Sequence, residues 1–293
     1  MRLLMLTTHP HLYTPRRLCA EASRRGLAVL TVVPGSEEGI GSLDASLVIA
    51  RAGPFSFVRV LRSLRKLASR GATLLHTRRA LLDAIDKWRC LRRLQRSHLA
   101  VPRSLLARHP QAGVARFLRS RPPPVFLKAR IGSQGSHVLL GEDEHAARRG
   151  VHFLWGLGLT PILQEDLRGS GPVRRVLVAG GRAVAHALAR PAPGEHRTNL
   201  RLGGEFIACG ADAPIAAVAV RAVRTLGLPY AAVDLIGDPC AVLDVNASPG
   251  IEGLERSSRK NLAASLLDAA IEASPGAAGG GSSDGNRATW SQP

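Results

Sequence analysis

Asp234, Asp244 and Asn246 are the residues from which a chemistry can be built most directly. Asp234 lies in the apolar run AAVDLIG, and Asp244 and Asn246 lie in AVLDVNASPG. A short turn sequence separates the two runs, which read as the strands of a hairpin. Residues two apart on a strand share a face, so Asp244 and Asn246 present two oxygens side by side while Val245 faces the core. Pairing with the first strand can bring Asp234 to the same face. Oxygen donors without His or Cys suit a hard cation, Mg²⁺ or Mn²⁺, which reaches proteins through one or two carboxylates plus substrate phosphates. A strand end followed by an ordinary Pro-Gly turn has the same composition, and this stretch alone leaves both readings open.

Lys128 supplies a second element. It closes the apolar run PPPVFLKARI, four residues before a loop running from Gly132 through Ser133 to Gly135 and Ser136. A fixed ammonium followed by small residues with exposed backbone N–H groups has the chemical content of a phosphate cradle. It is not a Walker A loop, whose Lys follows its glycines, and the same GSQGS also makes a plain hairpin turn. Lysine is scarce throughout: apart from Lys66, Lys87, Lys128 and Lys260 the chain takes its positive charge from arginine, so a retained lysine marks a place for a compact point charge.

The elements that must hold these residues belong to a chain of 293 residues, 45% hydrophobic, long enough for two or three compact units. No apolar run approaches the roughly 18 residues of a membrane span, and MRLLMLTTHPHLY has too short an apolar core for a signal peptide, so a cytoplasmic protein is expected. Cys19, Cys90, Cys209 and Cys240 are scattered without metal-ligand spacing and are expected to be free, buried thiols. The formal charge of +18 is concentrated in residues 51–130, which hold 20 Lys and Arg against Asp83 and Asp86 alone. Such a block either draws an anionic partner or is a solvated basic face. Nucleic acid is disfavoured, because aromatic residues make up only 4% of the chain and a stacking platform is missing.

Residues 1–77 alternate strand and helix and predict an α/β domain with a mostly parallel sheet. A single helix is predicted over RALLDAIDKWRCLRRLQRSH, another near PQAGVARFLRSR, then a strand pair around GSQGS and a helix near 143–157. The strand PILQEDL follows, then a hairpin turning at Gly180-Gly181, a polar loop PAPGEHRTNLRLGGE, the helix APIAAVAVRAVRTLG, the Asp-bearing hairpin and the closing helix NLAASLLDAAIEA. These divide the chain into residues 1–77, 78–163 and 164–274, with a Gly/Ser tail over 275–293 that is expected to be disordered.

KARIGSQGSHVLL, ILQEDL, RRVLVAGGRAVAHALAR, HRTNLRLGGE, RAVRTLGLPYAAVDLIG and LDVNASPGIEGLE follow one another in the order and spacing of the ATP-grasp superfamily. The chain most resembles the RimK-type α-L-glutamate ligases, over roughly residues 1–272. The resemblance implies an α/β fold in which a Rossmann-like N-terminal domain precedes two subdomains that clasp ATP. It implies an enzyme that phosphorylates a carboxylate with ATP and lets an amine displace the phosphate, forming an amide.

By matching position, the resemblance places Lys87 and Lys128 on the ATP phosphates, with Gly132, Ser133 and Gly135 in the flap. Glu165, Asp166, Arg197, Thr198 and Asn199 fall at nucleotide-binding positions, and Asp234, Asp244 and Asn246 on the ligands of Mg²⁺ or Mn²⁺, two ions per site. Arg175 and Arg190 match arginines that face the transferred phosphate and the acceptor carboxylate, where a planar fork suits an oxyanion. The backbone of Ser248, Pro249 and Gly250 falls at the acyl phosphate. Two departures stand out: Val173 replaces an acid that serves the nucleotide, and Asp244 is one methylene shorter than the family's usual Glu. The implied partners are ATP, an amino acid (glutamate favoured) and an acidic protein, peptide or metabolite acceptor, in a chain whose family is often homo-oligomeric. The departures also permit a different class, a nucleotide-binding pseudoligase that has lost turnover.

Overall fold

The computed structural model describes residues 1–37, 40, 46–53, 56–108, 110–132, 137–195, 203–210, 212–238 and 240–274. The predicted flap residues Ser133 and Gly135, the stretch Arg197, Thr198 and Asn199, and the Gly/Ser tail lie outside them.

The N-terminal unit holds β1 (Arg2–Thr7), α1 (Tyr13–Arg24), β2 (Ala28–Val32), β3 (Ser46–Arg51), α2 (Phe57–Ala68) and β4 (Thr73–Leu74). The strands form a wholly parallel sheet in the order β2-β1-β3-β4. Its central strands are covered on both faces, which is why they read as unbroken apolar runs: Leu3, Leu4, Met5 and Leu6 are all buried. Phe57, Val60, Leu64 and Leu67 recur at helical spacing and form the buried stripe of α2.

The helix expected over residues 79–98 is two helices, α3 (Arg78–Ile85) and α4 (Lys87–Arg96). Asp86 leaves helical geometry (φ −83°, ψ 97°), caps α4 by accepting from the Arg89 N–H at 3.1 Å, and forms a β-bridge with Ile131. Its carboxylate takes Arg130 Nε at 2.9 Å, and the Lys87 N–H donates to the Arg130 carbonyl at 2.9 Å. The apolar period runs unbroken through Asp86, so the break comes from a tertiary partner that local pattern does not register.

A second sheet, antiparallel and ordered β5-β8-β6-β7, contains β5 (Ser104–Leu106), β6 (Val125–Ala129), β7 (Val138–Gly141) and β8 (Pro161–Glu165). Helices α5 (Pro110–Ser120) and α6 (Glu144–Gly156) cover one face, around a core that includes Val114, Phe117, Val125, Leu127, Val151, Leu154 and Leu163. The division expected between 163 and 164 falls inside β8, and β5 is a strand that the sequence reading leaves as loop.

The third sheet runs β11-β10-β9-β12-β13, from β9 (Val173–Ala179), β10 (Arg182–Arg190), β11 (Glu205–Ala208), β12 (Tyr230–Ile236) and β13 (Ala241–Asn246). Gly180 (φ +56°) and Gly181 (φ +71°) make the predicted β9–β10 turn, whose two positive φ values match the twist of the paired strands. Val176, Val178, Val233, Leu235 and Val245 face α7 (Ala213–Thr225) and the α3–α4 pair, while Leu177, Ala179, Ala187, Tyr230 and Ala232 face α8 (Glu252–Ser258) and α9 (Leu262–Glu272). β11 and α8 are additions to the expected elements. Of the four cysteines, all free, only Cys90 is buried; Cys19, Cys209 and Cys240 are partly exposed, so the expectation of four buried thiols holds for one. Among the described residues, no helix is long and apolar enough to cross a membrane.

His76 sits where the N-terminal sheet meets the third sheet. It is 1% exposed, stacked edge-on against Tyr230 with ring centroids 4.9 Å apart. Burial pushes its imidazole down to about 4, with the Arg51 cation acting in the same direction. A folded pKa below the unfolded value of about 6.5 means that the unfolded chain binds the proton first, so stability is full above that value and declines as pH falls toward 4. His186 is shifted the same way, by burial and then Lys260. His76→Gln should flatten the melting temperature between pH 6.5 and 4 by an amount corresponding to up to ~3 kcal/mol; an unchanged pH profile in a calorimetric scan would dismiss His76 as its source.

Candidate active site

Strand alternation does most of the aiming. On β6, Val125, Leu127 and Ala129 are buried against the helices, so Phe126 and Lys128 point the other way, toward the third sheet. On the third sheet, Arg175, Asp234 and Asp244 are direct cross-strand partners on β9, β12 and β13, with Asn246 opposite Ala232 two pairs further on. The predicted hairpin therefore does put the three oxygen-bearing residues on one face. A β-bulge assists: pairing passes from Asp234↔Asp244 to Leu235↔Val242, leaving Leu243 as the extra residue. It lets Val242 and Val245 bury in the same core while Asp244 and Asn246 take the opposite side.

Two carboxylates facing each other across a strand pair repel, and here each is matched by a cation. Arg175 donates both arms of its fork to Asp234, at 2.7 and 2.6 Å, and stacks its guanidinium 4.8 Å from the Phe206 ring. The Lys87 ammonium lies 3.1 and 3.2 Å from the two Asp244 oxygens. Burial disfavours the Lys87 cation, but the Asp244 carboxylate outweighs it and holds the pKa above the ordinary lysine value. Asp244 answers in kind: burial disfavours its ionisation, and Lys87, then Lys128, bring its pKa below the usual carboxylate range.

Among the described residues, no carboxylate is paired with Lys128. Its ammonium donates to Gln164 Oε1 at 2.5 Å, and Gln164 in turn donates to Ser104 Oγ at 3.0 Å. Burial first, and then repulsion from Lys87, lower it to about 8. Lys87 is also the first residue of α4, so the positive end of a helix adds to both ammoniums. The sum is a cationic cleft between α4, the second sheet and β13, lined by Lys87, Leu91, Lys128, Gln164, Leu243 and Asp244 and enclosing only about 10 Å³ in this conformation.

The other predicted residues are placed as follows. Glu165 ends β8 with one oxygen accepting from the Arg103 N–H at 2.7 Å and the other 3.0 Å from Arg121, while Asp166 pairs with Arg168 at 2.7 Å. Both acids are thus engaged by arginines. Gly132 is buried at the end of its described stretch. Asn246 Oδ1 accepts from the Ser248 N–H at 2.8 Å. Arg190, by contrast, is not brought to Arg175. It ends β10 on the side opposite Ala187 and Ala189, exposed and 3.2 Å from Glu205. Gln164 is the site residue that sequence reasoning missed; a polar side chain inside the apolar strand PILQE was its signal.

A parallel-stranded N-terminal unit followed by two antiparallel sheets facing each other across a cationic cleft defines an ATP-grasp ligase. The D-cycloserine synthetase DcsG shares the fold, with a TM-score of 0.75 at 20% identity over 93% of this chain and 100% of that one. So does the ATP-grasp ligase PsnB, solved with a phosphomimetic precursor variant, Mg and ADP, with a TM-score of 0.65 at 19% identity over 93% of this chain and 98% of that one. Residues 84–270 match the RimK-like ATP-grasp domain, and the chain belongs to that family. A relative from Shewanella amazonensis, named probable alpha-L-glutamate ligase 1, is 30% identical over 285 residues, covering 91% of this chain and 94% of its own.

The family's nucleotide and metal can be tested against these residues. Asp234, Asp244 and Asn246, brought to one face, offer two carboxylates and an amide, an all-oxygen set whose chemistry suits Mg²⁺, and among the described residues no group of three or more His, Cys, Asp and Glu is placed to hold a metal ion. Lys87 and Lys128 fit phosphates. Val173, at the start of β9, offers an apolar side chain where the resemblance implies an acid.

Proposed function

We propose that this ATP-grasp ligase joins an amino acid, glutamate in the first instance, to an acidic acceptor through an acyl phosphate. The observation that carries the reading is the row Arg175–Asp234–Asp244 facing Lys87 and Lys128. An acceptor carboxylate oxygen attacks the γ-phosphorus of ATP and ADP leaves; the amine nitrogen then attacks the acyl carbon, loses a proton, and expels inorganic phosphate. Transfer of this kind depends on positioning and charge neutralisation rather than covalent help from the protein. Lys87 and Lys128 hold the phosphates, and Arg175 stands beside the metal-binding carboxylate with its fork available to an oxyanion once Asp234 turns to a metal. Asp234, Asp244 and Asn246 would hold Mg²⁺ or Mn²⁺, one ion or two, which supplies charge neutralisation at the transferred phosphoryl group. The amino acid is proposed as glutamate because the relatives carry that name.

An acidic acceptor is supported by the surface. Asp83 and Asp86, the only acids of residues 51–130, are buried and paired with arginines. A groove of about 460 Å³ between α4, β5 and α5 is lined by Arg92, Arg103, Arg121 and Trp88. The double substitution Arg92→Glu with Arg103→Glu should raise KM for an acidic peptide acceptor by about tenfold, leave KM for ATP unchanged and remove the salt sensitivity of the reaction. Initial rates against acceptor concentration at low and high salt check this, and an unchanged KM would rule the groove out.

The reading itself is tested with ATP, Mg²⁺ and hydroxylamine as the trapping amine, across acidic amino acids and peptides as carboxylate donors. Formation of ADP and hydroxamate is expected. ATP binding without either product from any mixture would replace the ligase by a nucleotide-binding pseudoligase.

A further inference from the structure

The turn that follows the metal-binding strand is held from outside its own sheet. Arg51 Nη2 donates to two successive carbonyls, those of Ser248 at 3.0 Å and Pro249 at 3.1 Å. The Ala52 N–H donates to Ser248 Oγ at 3.2 Å, and the Ile251 N–H donates to Thr14 Oγ1 at 3.1 Å. Arg51 ends β3, Ala52 follows it, and Thr14 lies in the first turn of α1, so all three anchors come from the N-terminal unit. Within the turn, the Ser248 N–H is the group that fixes Asn246 Oδ1. A continuous set of hydrogen bonds thus runs from the N-terminal sheet to an oxygen of the metal-binding row.

Arg51 is a costly way to secure a turn if stability is all it provides. Among the described residues no carboxylate is paired with it, and its Nη1 is buried without a hydrogen-bond partner, near His76 and Tyr230. Burial lowers its pKa, opposed only by Tyr230. An uncompensated buried cation subtracts from stability, whereas one nitrogen bridging two carbonyls sets the orientation of a turn.

We propose that Arg51 is a positioning residue for phosphoryl transfer: it touches neither Asp234 nor Asp244, and acts by holding residues 248–250 so that Asn246 and the backbone amides of the turn stay aligned with the row. What the turn does rests on the ligase reading above; the mechanical coupling does not. Arg51→Met should accelerate amide hydrogen exchange at Ser248 and Ile251 by at least about tenfold while leaving β12 and β13 protected. It should lower kcat by about tenfold or more with KM for ATP within about threefold, and Arg51→Lys should restore part of kcat. The melting temperature of Arg51→Met should hold or rise, since a buried cation has been removed. Unchanged exchange in the folded variant overturns the proposal, as does a lowered melting temperature with kcat per folded molecule intact. Should Arg51→Met not fold, Arg51→Gln, uncharged and too short to bridge both carbonyls, takes its place, and unchanged exchange at Ser248 and Ile251 in that variant is equally decisive. A wild-type enzyme without turnover on any substrate would defeat the ligase reading, while the exchange measurement still decides the coupling.

Discussion

Asp244→Asn lowers the metal-dependent kcat by about 10³-fold or more, equivalent to roughly 4 kcal/mol of transition-state stabilisation. The substitution keeps the shape of the side chain and removes its charge, so the bulge at Leu243 and the pairing with Asp234 stay in place. What is lost is one of two carboxylates in an all-oxygen donor set, together with the counter-ion of Lys87. Breaking a buried ion pair costs about 3–5 kcal/mol, but the Asp244 side chain is 37% exposed and water screens the orphaned ammonium, so about 1–2 kcal/mol of stability is expected to go. Turnover assayed with Mg²⁺, beside a thermal melt, separates the two effects. Full activity would remove Asp244 from the site. Asp244→Glu, one methylene longer, is expected to keep at least about a tenth of the activity, because the same charge remains on the same face.

Lys128→Met weakens ATP binding by about 10- to 100-fold and makes the apo protein no less stable. The sign follows from the folded pKa of about 8, below the unfolded value of about 10.4. Between those values the unfolded chain holds a proton that the folded chain has released, so stability rises with pH across that window, and at neutral pH the cost of charging Lys128 is fully present. Replacing it with a neutral side chain of similar length removes that cost. Phosphates arriving beside Lys128 raise its pKa again, so nucleotide binding near pH 9 should take up close to one proton, and near pH 6.5 almost none. Calorimetric titrations in buffers of different ionisation enthalpy read the uptake directly. Binding that is equally tight in Lys128→Met, or buffer-independent at pH 9 in the wild type, would take Lys128 off the phosphates.

Much of this arrangement could be read from the chain, and what could not has identifiable causes. The N-terminal strands are legible because both their faces are buried, which leaves apolar runs such as RLLMLT that nothing else explains. The row of Asp234, Asp244 and Asn246 is legible because alternation on a strand is rigid: Asp244 and Asn246 must share a face, and the hairpin partner supplies Asp234. The two-helix break at Asp86 is not legible, since its cause is Arg130 and Ile131, more than forty residues away. β5 and β11 are edge strands of three and four residues, stabilised by pairing with β8 and β10 rather than by their own composition. The bulge at Leu243 leaves no mark on the pattern AVLDVN. Arg190 matched by position alone, and one residue of register on β10 is enough to turn it toward Glu205.

The bridge between Asp86 and Ile131 bears on how a nucleotide gets in. The cleft between the second sheet and β13 encloses about 10 Å³, less than an adenine ring needs, so on the ligase reading the second sheet swings away from β13 to admit one. The backbone pairing of Asp86 with Ile131 and of Lys87 with Arg130 is a natural fulcrum for that swing. Displacement in a rotation grows with distance from the axis, and Lys87 and Lys128 both lie within two residues of these pairings. On the ligase reading, the jaws can therefore part widely at their far ends while the ammoniums of Lys87 and Lys128 barely move, so the proposed phosphate grip is in place before a base has been enclosed.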